Sequence, residues 1–322
     1  MYGDNTEFHN TFRKGETIFG AALWVFADVE LNPRVSIALG GFGNQRFGSE
    51  HAFELARPIV SLTARGRHSS LTFGAFQAPR ADSEIGPDRV GLHGLLPPLQ
   101  RETLAFDRPY EAGLRWMLNT ARFRHDLWVS WQRLNTKEHR ERFDGGLDGT
   151  MHANGVLSLP IQVHIVHEGG QLFASGAVAD SAAAAAGARI GGHLGTIARV
   201  SIELYGLISR YVPDRSQRSL SRDGTGLFGR ASAEKQGWRG HILFWRGRNF
   251  IKDEGDPNYL SITRAGIRYR GTRDYAEAGL ARRVLLANGA SFEVSGRFHR
   301  IERFYEYSYR VTSTLNLGWK LR

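Results

Sequence analysis

The sequence predicts an all-β protein: an antiparallel transmembrane β-barrel of about sixteen strands, or eighteen if one more is hidden at each end. Three observations lead there. Long segments alternate apolar and polar residues, turn-rich connectors separate them at regular spacing, and the connectors alternate between short and long. The clearest segment is Glu306–Arg322. Tyr307, Tyr309, Val311, Leu315, Leu317, Trp319 and Leu321 share one parity, broken by Ser313, while Arg310, Thr312, Thr314 and Asn316 share the other. Successive side chains of a strand point to opposite faces, so this segment has one apolar and one wet face. Soluble strands average about five or six residues, far fewer than this.

Each further element follows from the same period. Thr17–Leu31 places Phe19, Leu23, Val25, Val29 and Leu31 on one face, and Asn32-Pro33-Arg34 turns the chain into Val35–Phe42. Phe53–Arg65 and Ser69–Ala78 make a hairpin about Gly66-Arg67-His68. Tyr110–Leu118 and Phe123–Arg133 follow. Gly146–Leu159 and Ile161–Phe173 then meet at Pro160. Asp180–Arg189, with five consecutive alanines, reads equally as a short helix or plug and as a strand in tight space. Ala198–Arg210, Gly224–Ala233, Trp238–Arg248, Tyr259–Arg270, Tyr275–Leu285 and Ser291–Arg300 complete the run. No stretch resembles an interdomain linker. Residues 1–322 are therefore expected to form one barrel domain, with 79–109 a long loop or a lumen constriction. By parity of the connectors both termini would lie on the long-loop side, and a strand at each end, such as Thr6–Arg13, would bring them to the short-turn side.

Composition agrees. No run approaches the roughly eighteen apolar residues of a membrane helix. A mean hydropathy of −0.35 is compatible with strands that face water on one side. Cysteine is absent, so disulfides and thiolate metal sites are excluded, and no cofactor is expected. Met1-Tyr2-Gly3-Asp4 shows no secretory signal, which under the barrel reading implies a mature form or a late start.

The net charge of +10 is carried mainly by arginine, with only five lysines. Arg115, Arg124, Arg199, Arg264, Arg268, Arg297 and Arg310 lie on polar parities, as does Glu203, and all are expected to line the lumen. Arginine on the lipid face at mid-bilayer costs about 2–4 kcal/mol. Opposed charges across a lumen set selectivity, and an arginine excess favours anions. Trp116, Trp131, Trp238, Trp245 and Trp319 are expected in interfacial girdles, while Trp24 and Trp128 fall on the polar parity.

Catalytic and metal patterns are weak. His164 and His167, three apart in a strand, face opposite sides, and neither H-E-x-x-H nor G-x-S-x-G occurs. The acidic run Asp253-Glu254-Gly255-Asp256 does not match a calcium loop, and the glycine clusters lack a phosphate-loop lysine. The arginines are dispersed rather than clustered, which argues against nucleic acid as a partner.

The opening Asn5-Thr6-Glu7-Phe8 with Gly15-Glu16-Thr17-Ile18-Phe19-Gly20 resembles the start of a group of uncharacterised Gram-negative outer-membrane proteins. Trp245–Phe250 and the closing Phe304–Tyr309 are similar to theirs as well. The resemblance implies a porin-sized barrel without assigned catalytic residues. More distantly, the plan is similar to alginate-export-type barrels. A Trp319-Lys320-Leu321-Arg322 ending departs from the usual terminal Phe or Trp of such barrels. The expected function is an outer-membrane pore for polar, preferentially anionic solutes. The alternatives are export of an anionic polysaccharide, a non-conducting scaffold and, at lower weight, an outer-membrane hydrolase. The expected partners are outer-membrane lipid and lipopolysaccharide, the barrel-assembly machinery, and a homo-oligomer or envelope complex.

Overall fold

The computed structural model describes residues 1–77, 92–170, 172–173, 176–195, 198–286 and 289–319. Sixteen antiparallel strands close into a barrel in which sequence neighbours pair and the first strand pairs with the last. They are β1 (Tyr2–Glu7), β2 (Glu16–Asn32), β3 (Val35–Arg46), β4 (Leu55–Arg65), β5 (Ser69–Phe76), β6 (Glu111–Asn119), β7 (Phe123–Arg133) and β8 (Glu141–His152). Then come β9 (Leu157–Gly169), β10 (Ala179–Leu194), β11 (Ala198–Val212), β12 (Arg222–Lys235), β13 (Trp238–Arg248), β14 (Thr272–Leu285), β15 (Ala290–Ile301) and β16 (Phe304–Leu315). Closure gives every strand two partners and leaves no open edge, the condition for sheet structure inside lipid. The fold is a closed antiparallel β-barrel of the membrane-spanning kind.

The dyad pattern becomes an inside and an outside. On β11, Ile202, Leu204 and Ile208 are 65, 55 and 63 % exposed, while Glu203, Tyr205 and Leu207 between them are 1, 0 and 3 % exposed. The outer face of β2 shows Phe19, Leu23 and Val25, and that of β16 shows Tyr305, Tyr307 and Tyr309. An apolar surface of this extent in a folded protein is stable facing hydrocarbon. Placing arginine at Ile242, outward near the middle of β13, is therefore expected to cost about 2–4 kcal/mol of folding stability in vesicles. Urea unfolding would read this cost. An unchanged unfolding free energy would mean that this face meets water.

The structure departs from the sequence reading in three places and decides one choice that the sequence left open. Tyr259–Arg270 is not a strand: Ser261 and Tyr269 bridge within a long connector between β13 and β14. Its alternation is local, and its tyrosines pack inward. The compensating strand is β1, which begins at Tyr2, earlier than the expected Thr6–Arg13. The total stays at sixteen, and both termini fall on the short-turn side.

The turn expected at Pro160 lies instead at residues 153–156, closed by Asn154 accepting from the Val156 and Leu157 amides at 2.9 and 2.8 Å. Pro160 sits inside β9 in register with Thr150 of β8, and the β9–β10 pairing is interrupted beside it, between Ile161 and Ser158, as a residue without an N–H requires. The alanine run is strand β10. Ala183 and Ala185 point inward against the luminal packing, where a larger side chain would collide. Finally, β16 ends at Leu315, and Lys320–Arg322 of the expected terminal strand fall outside the described residues.

Candidate functional site

The interior is packed. Trp128, Tyr205, Phe228 and Trp245 project from the wall and meet Leu95, Leu96 and Leu99 of the β5–β6 connector and Phe250, Tyr259 and Leu260 of the β13–β14 connector. Trp245, expected at the membrane interface, is fully buried here, and Gly226 and Gly247 leave the room its indole fills. A residue's parity at the end of a strand is insufficient to assign it to a girdle when a loop folds back over that end. Trp128 does lie inside, stacked face to face on His93 with centroids 3.6 Å apart.

The two connectors are tied together and to opposite walls. Asp256 N donates to Pro97 O at 2.9 Å and Arg101 N to Glu254 O at 2.6 Å. Gln162 of β9 accepts from Leu96 N at 2.8 Å, and Glu102 pairs with Arg297 of β15 and Arg310 of β16 at 2.8 and 3.1 Å. Residues 92–109, the described part of the expected 79–109 constriction, thus cross the lumen; 79–91 lie outside the described residues.

Two buried ionic clusters hold these loops. His93, at a left-handed φ of 55°, sits between Asp126 (2.7 Å from Nδ1) and Glu111 (2.9 Å from Nε2). Burial alone would lower its pKa, but Glu111 and Asp126 raise it to about 9, so the ring is an imidazolium at neutral pH. In the second cluster His164 Nε2 lies 3.2 Å from Asp144 and 3.9 Å from Glu254. These three could hold a cation by spacing. However, Arg108 and Arg142 already pair with Glu254 at 2.8 and 3.0 Å, and Lys252 is buried alongside. Burial opposes ionisation of Glu254, but Arg108, His164 and Arg142 hold its carboxyl well below the usual range. Burial likewise lowers Lys252 to about 8 against the pull of Glu254, Asp253 and Asp144. The charges are compensated without a metal, and the cluster is an ion-pair network.

Between the loops and strands β12–β16 lies a cavity of about 60 Å³. Five arginines (Arg13, Arg230, Arg239, Arg297 and Arg310) and five carboxylates (Asp4, Glu102, Asp256, Glu277 and Glu293) line it, so its charge is balanced. His241 and His299 also line it, both bonded to Glu277 or its neighbours: His241 Nε2 to Glu277 at 2.7 Å and His299 Nδ1 to Tyr275 at 2.7 Å.

The residues expected in the lumen are dispersed. Arg297 and Arg310 line the cavity. Glu203 is buried and pairs with Arg230 at 2.6 Å. Arg115 and Arg124 lie on the far wall against Asp126 (2.8 Å) and Asp148 (3.7 Å). Arg199 is exposed at the short-turn end of β11. Arg264 and Arg268 are exposed in the β13–β14 connector, because the strand expected to orient them inward does not form. Sequence reasoning missed Glu102, His93, Arg273 and the His299 cluster. The first two sit on a connector with no periodicity to orient them. For His299 and Ser308 a signal existed: both share the polar parity of Arg297 and Arg310 across a two-residue hairpin.

Several solved outer-membrane proteins share this architecture at very low sequence identity. A loop-deletion mutant of OmpT, an outer membrane protein of Vibrio cholerae, superposes with a TM-score of 0.56 at 7 % identity, over 97 % of this chain and 95 % of that one. OccK10 of Pseudomonas aeruginosa gives 0.55 at 12 % identity, over 99 and 98 %. An anion-selective porin from Comamonas acidovorans gives 0.53 at 12 %, over 96 % of each chain. No curated protein matches the sequence. The family described as lipid A 3'-O-deacylase-type matches residues 1–322. The chain belongs to that family. Membership of the lipid A 3'-O-deacylase-type family, named for an enzyme activity, overturns the expectation of a protein without enzymatic activity. That expectation rested on the lack of local motifs, but a barrel assembles a site from side chains on separate strands, where no contiguous motif is needed.

Proposed function

We propose that this protein is an outer-membrane hydrolase that removes an acyl chain from a lipid A-like glycolipid, the reaction its family is named for. The match of that family to the whole chain carries the reading. Two features of the barrel support it. The described loops fill the lumen around a cavity of only about 60 Å³, so this conformation favours work at the membrane surface over passive flow. The outer wall carries Arg246, Arg248 and Arg300 near the long-loop ends of β13 and β15, pointing outward. That is the level at which the phosphates of an outer-leaflet glycolipid lie, and arginine binds phosphate oxygens in pairs. In mixed micelles of lipid A, the refolded protein is expected to release free fatty acid. A folded barrel that releases none would remove this reading.

The second reading is a pore, supported by the porin-like architecture and by the arginines of the interior. Preference for anions is its finer form. The balanced lining of five arginines and five carboxylates predicts weak ion selectivity if the lumen opens. Planar-bilayer conductance separates the two: steps well above the bare-lipid level support the pore.

A further inference from the structure

We infer that Ser308, His299 and Glu277 form a nucleophilic relay in the barrel wall that cleaves a short-chain acyl ester presented to the luminal cavity. The three residues come from adjacent strands. Glu277 and His299 are cross-strand partners in the β14–β15 pair, and Ser308 faces Arg297 in the β15–β16 pair and Thr6 in the β1–β16 pair. Ser308 Oγ lies 2.8 Å from His299 Nε2. On the other side of the ring, Nδ1 lies 2.7 Å from the Tyr275 hydroxyl and 3.3 Å from Glu277 Oε2.

The hydrogen bonds fix the tautomer. The Tyr275 hydroxyl has one proton and lies 2.5 Å from Glu277 Oε2, an acceptor-only atom, so it donates there. Its oxygen must then accept from His299, which places the ring proton on Nδ1. Nε2 is left with a lone pair and accepts from Ser308. A base so oriented, with a carboxylate behind the imidazole, is the arrangement that activates a serine. Glu277, acting through the ring, is a positioning residue.

The surroundings supply the remaining requirements. His299, Glu277, Arg297 and Thr6 line the cavity, and the partly exposed Ser308 lies between the last two in register. Asn258 also lines it, with a buried side-chain oxygen that has no hydrogen-bond partner among the described residues and can accept from the hydroxyl of a leaving alcohol. A volume of about 60 Å³ is room for about two waters. It takes an acetyl-sized acyl group and excludes a fatty one.

In the proposed step Ser308 Oγ bonds to the ester carbonyl carbon as its proton passes to His299 Nε2. The negative oxygen formed faces Arg297. Collapse breaks the bond to the alcohol, which takes the proton from His299. Water, deprotonated by the same nitrogen, then releases the carboxylic acid and restores Ser308.

The test uses the refolded full-length protein with two small water-soluble probes, methanesulfonyl fluoride and p-nitrophenyl acetate. We expect one methanesulfonyl adduct per chain, mapped by mass spectrometry to Ser308. Hydrolysis of p-nitrophenyl acetate is expected to fall about 10²–10⁴-fold in S308A and H299Q. E277Q should lower kcat at unchanged KM. Heat-modifiable gel migration confirms that each variant is folded, and S308C, which keeps a nucleophile of similar size, should be alkylated by iodoacetamide at that position. An adduct elsewhere, no adduct, or unchanged esterase rates in folded S308A would overturn the proposal. Neither probe is a lipid, so lack of lipid A turnover leaves this readout intact and the two readings fail separately.

Discussion

Replacing His93 with glutamine is expected to destabilise the barrel by about 3–5 kcal/mol and to remove most of the dependence of its stability on alkaline pH. The imidazolium lies between Glu111 and Asp126 with no exposure to solvent. Removing its charge leaves buried Glu111 without its cation and Asp126 with Arg115 alone, and breaking a buried pair costs about that much. The pH effect follows from linkage. The pKa is about 9 in the folded protein against an ordinary 6.5. A raised folded pKa means that the stabilisation is complete below pH 6.5 and is lost as pH rises through 9. At 1.36 kcal/mol per pH unit, the loss across that window is about 3 kcal/mol. Urea unfolding between pH 6 and pH 10 should show this decline in the wild type. A flat wild-type profile, or an equal decline in H93Q, would mean that His93 is not charged where it sits.

Arg273→Met is expected to cost about as much while loosening one connector rather than the pH response. Arg273 is fully buried. Its Nε donates to Leu260 O at 3.0 Å, one terminal nitrogen to Asn258 O at 2.9 Å and the other to Glu302 at 2.6 Å. The guanidinium also lies 3.2 Å from the centroid of the Phe12 ring. Methionine fills part of the volume but leaves the carbonyls of Leu260 and Asn258 without their donor, each worth about 1–3 kcal/mol when buried, and takes the cation from Glu302. The β13–β14 connector should then become a protease-sensitive loop. Trypsin cleavage at Arg264, Arg268 or Arg270 is the readout, and a cleavage pattern unchanged from wild type would show that other contacts hold the connector.

The wall of the barrel was legible in the sequence because lipid on one side and polar or packed groups on the other impose period two over long spans. Parity placed Glu203, Arg297 and Arg310 inward and Tyr305, Tyr307 and Tyr309 outward. The contents of the lumen were not legible. His93, Glu102, Lys252 and Glu254 lie on connectors whose positions depend on contacts between distant segments, and a connector has no period to reveal its orientation. The same blindness made Tyr259–Arg270 look like a strand. Its apolar residues alternate because they meet the barrel's interior core, including Trp245 and Tyr275, rather than a membrane. The relay around His299 is an intermediate case. Its residues sat on readable parities, but their pairing needed the register of β14, β15 and β16.

The proposed activity is that of an outer-membrane barrel with a filled interior on a glycolipid of its own membrane. Mass spectrometry of lipid A from a Gram-negative host expressing the full chain tests this most directly. We predict a new species lighter by one 3'-linked acyl chain, present only when the folded barrel is in the outer membrane. Lipid A of unchanged mass beside a folded, heat-modifiable barrel would contradict it.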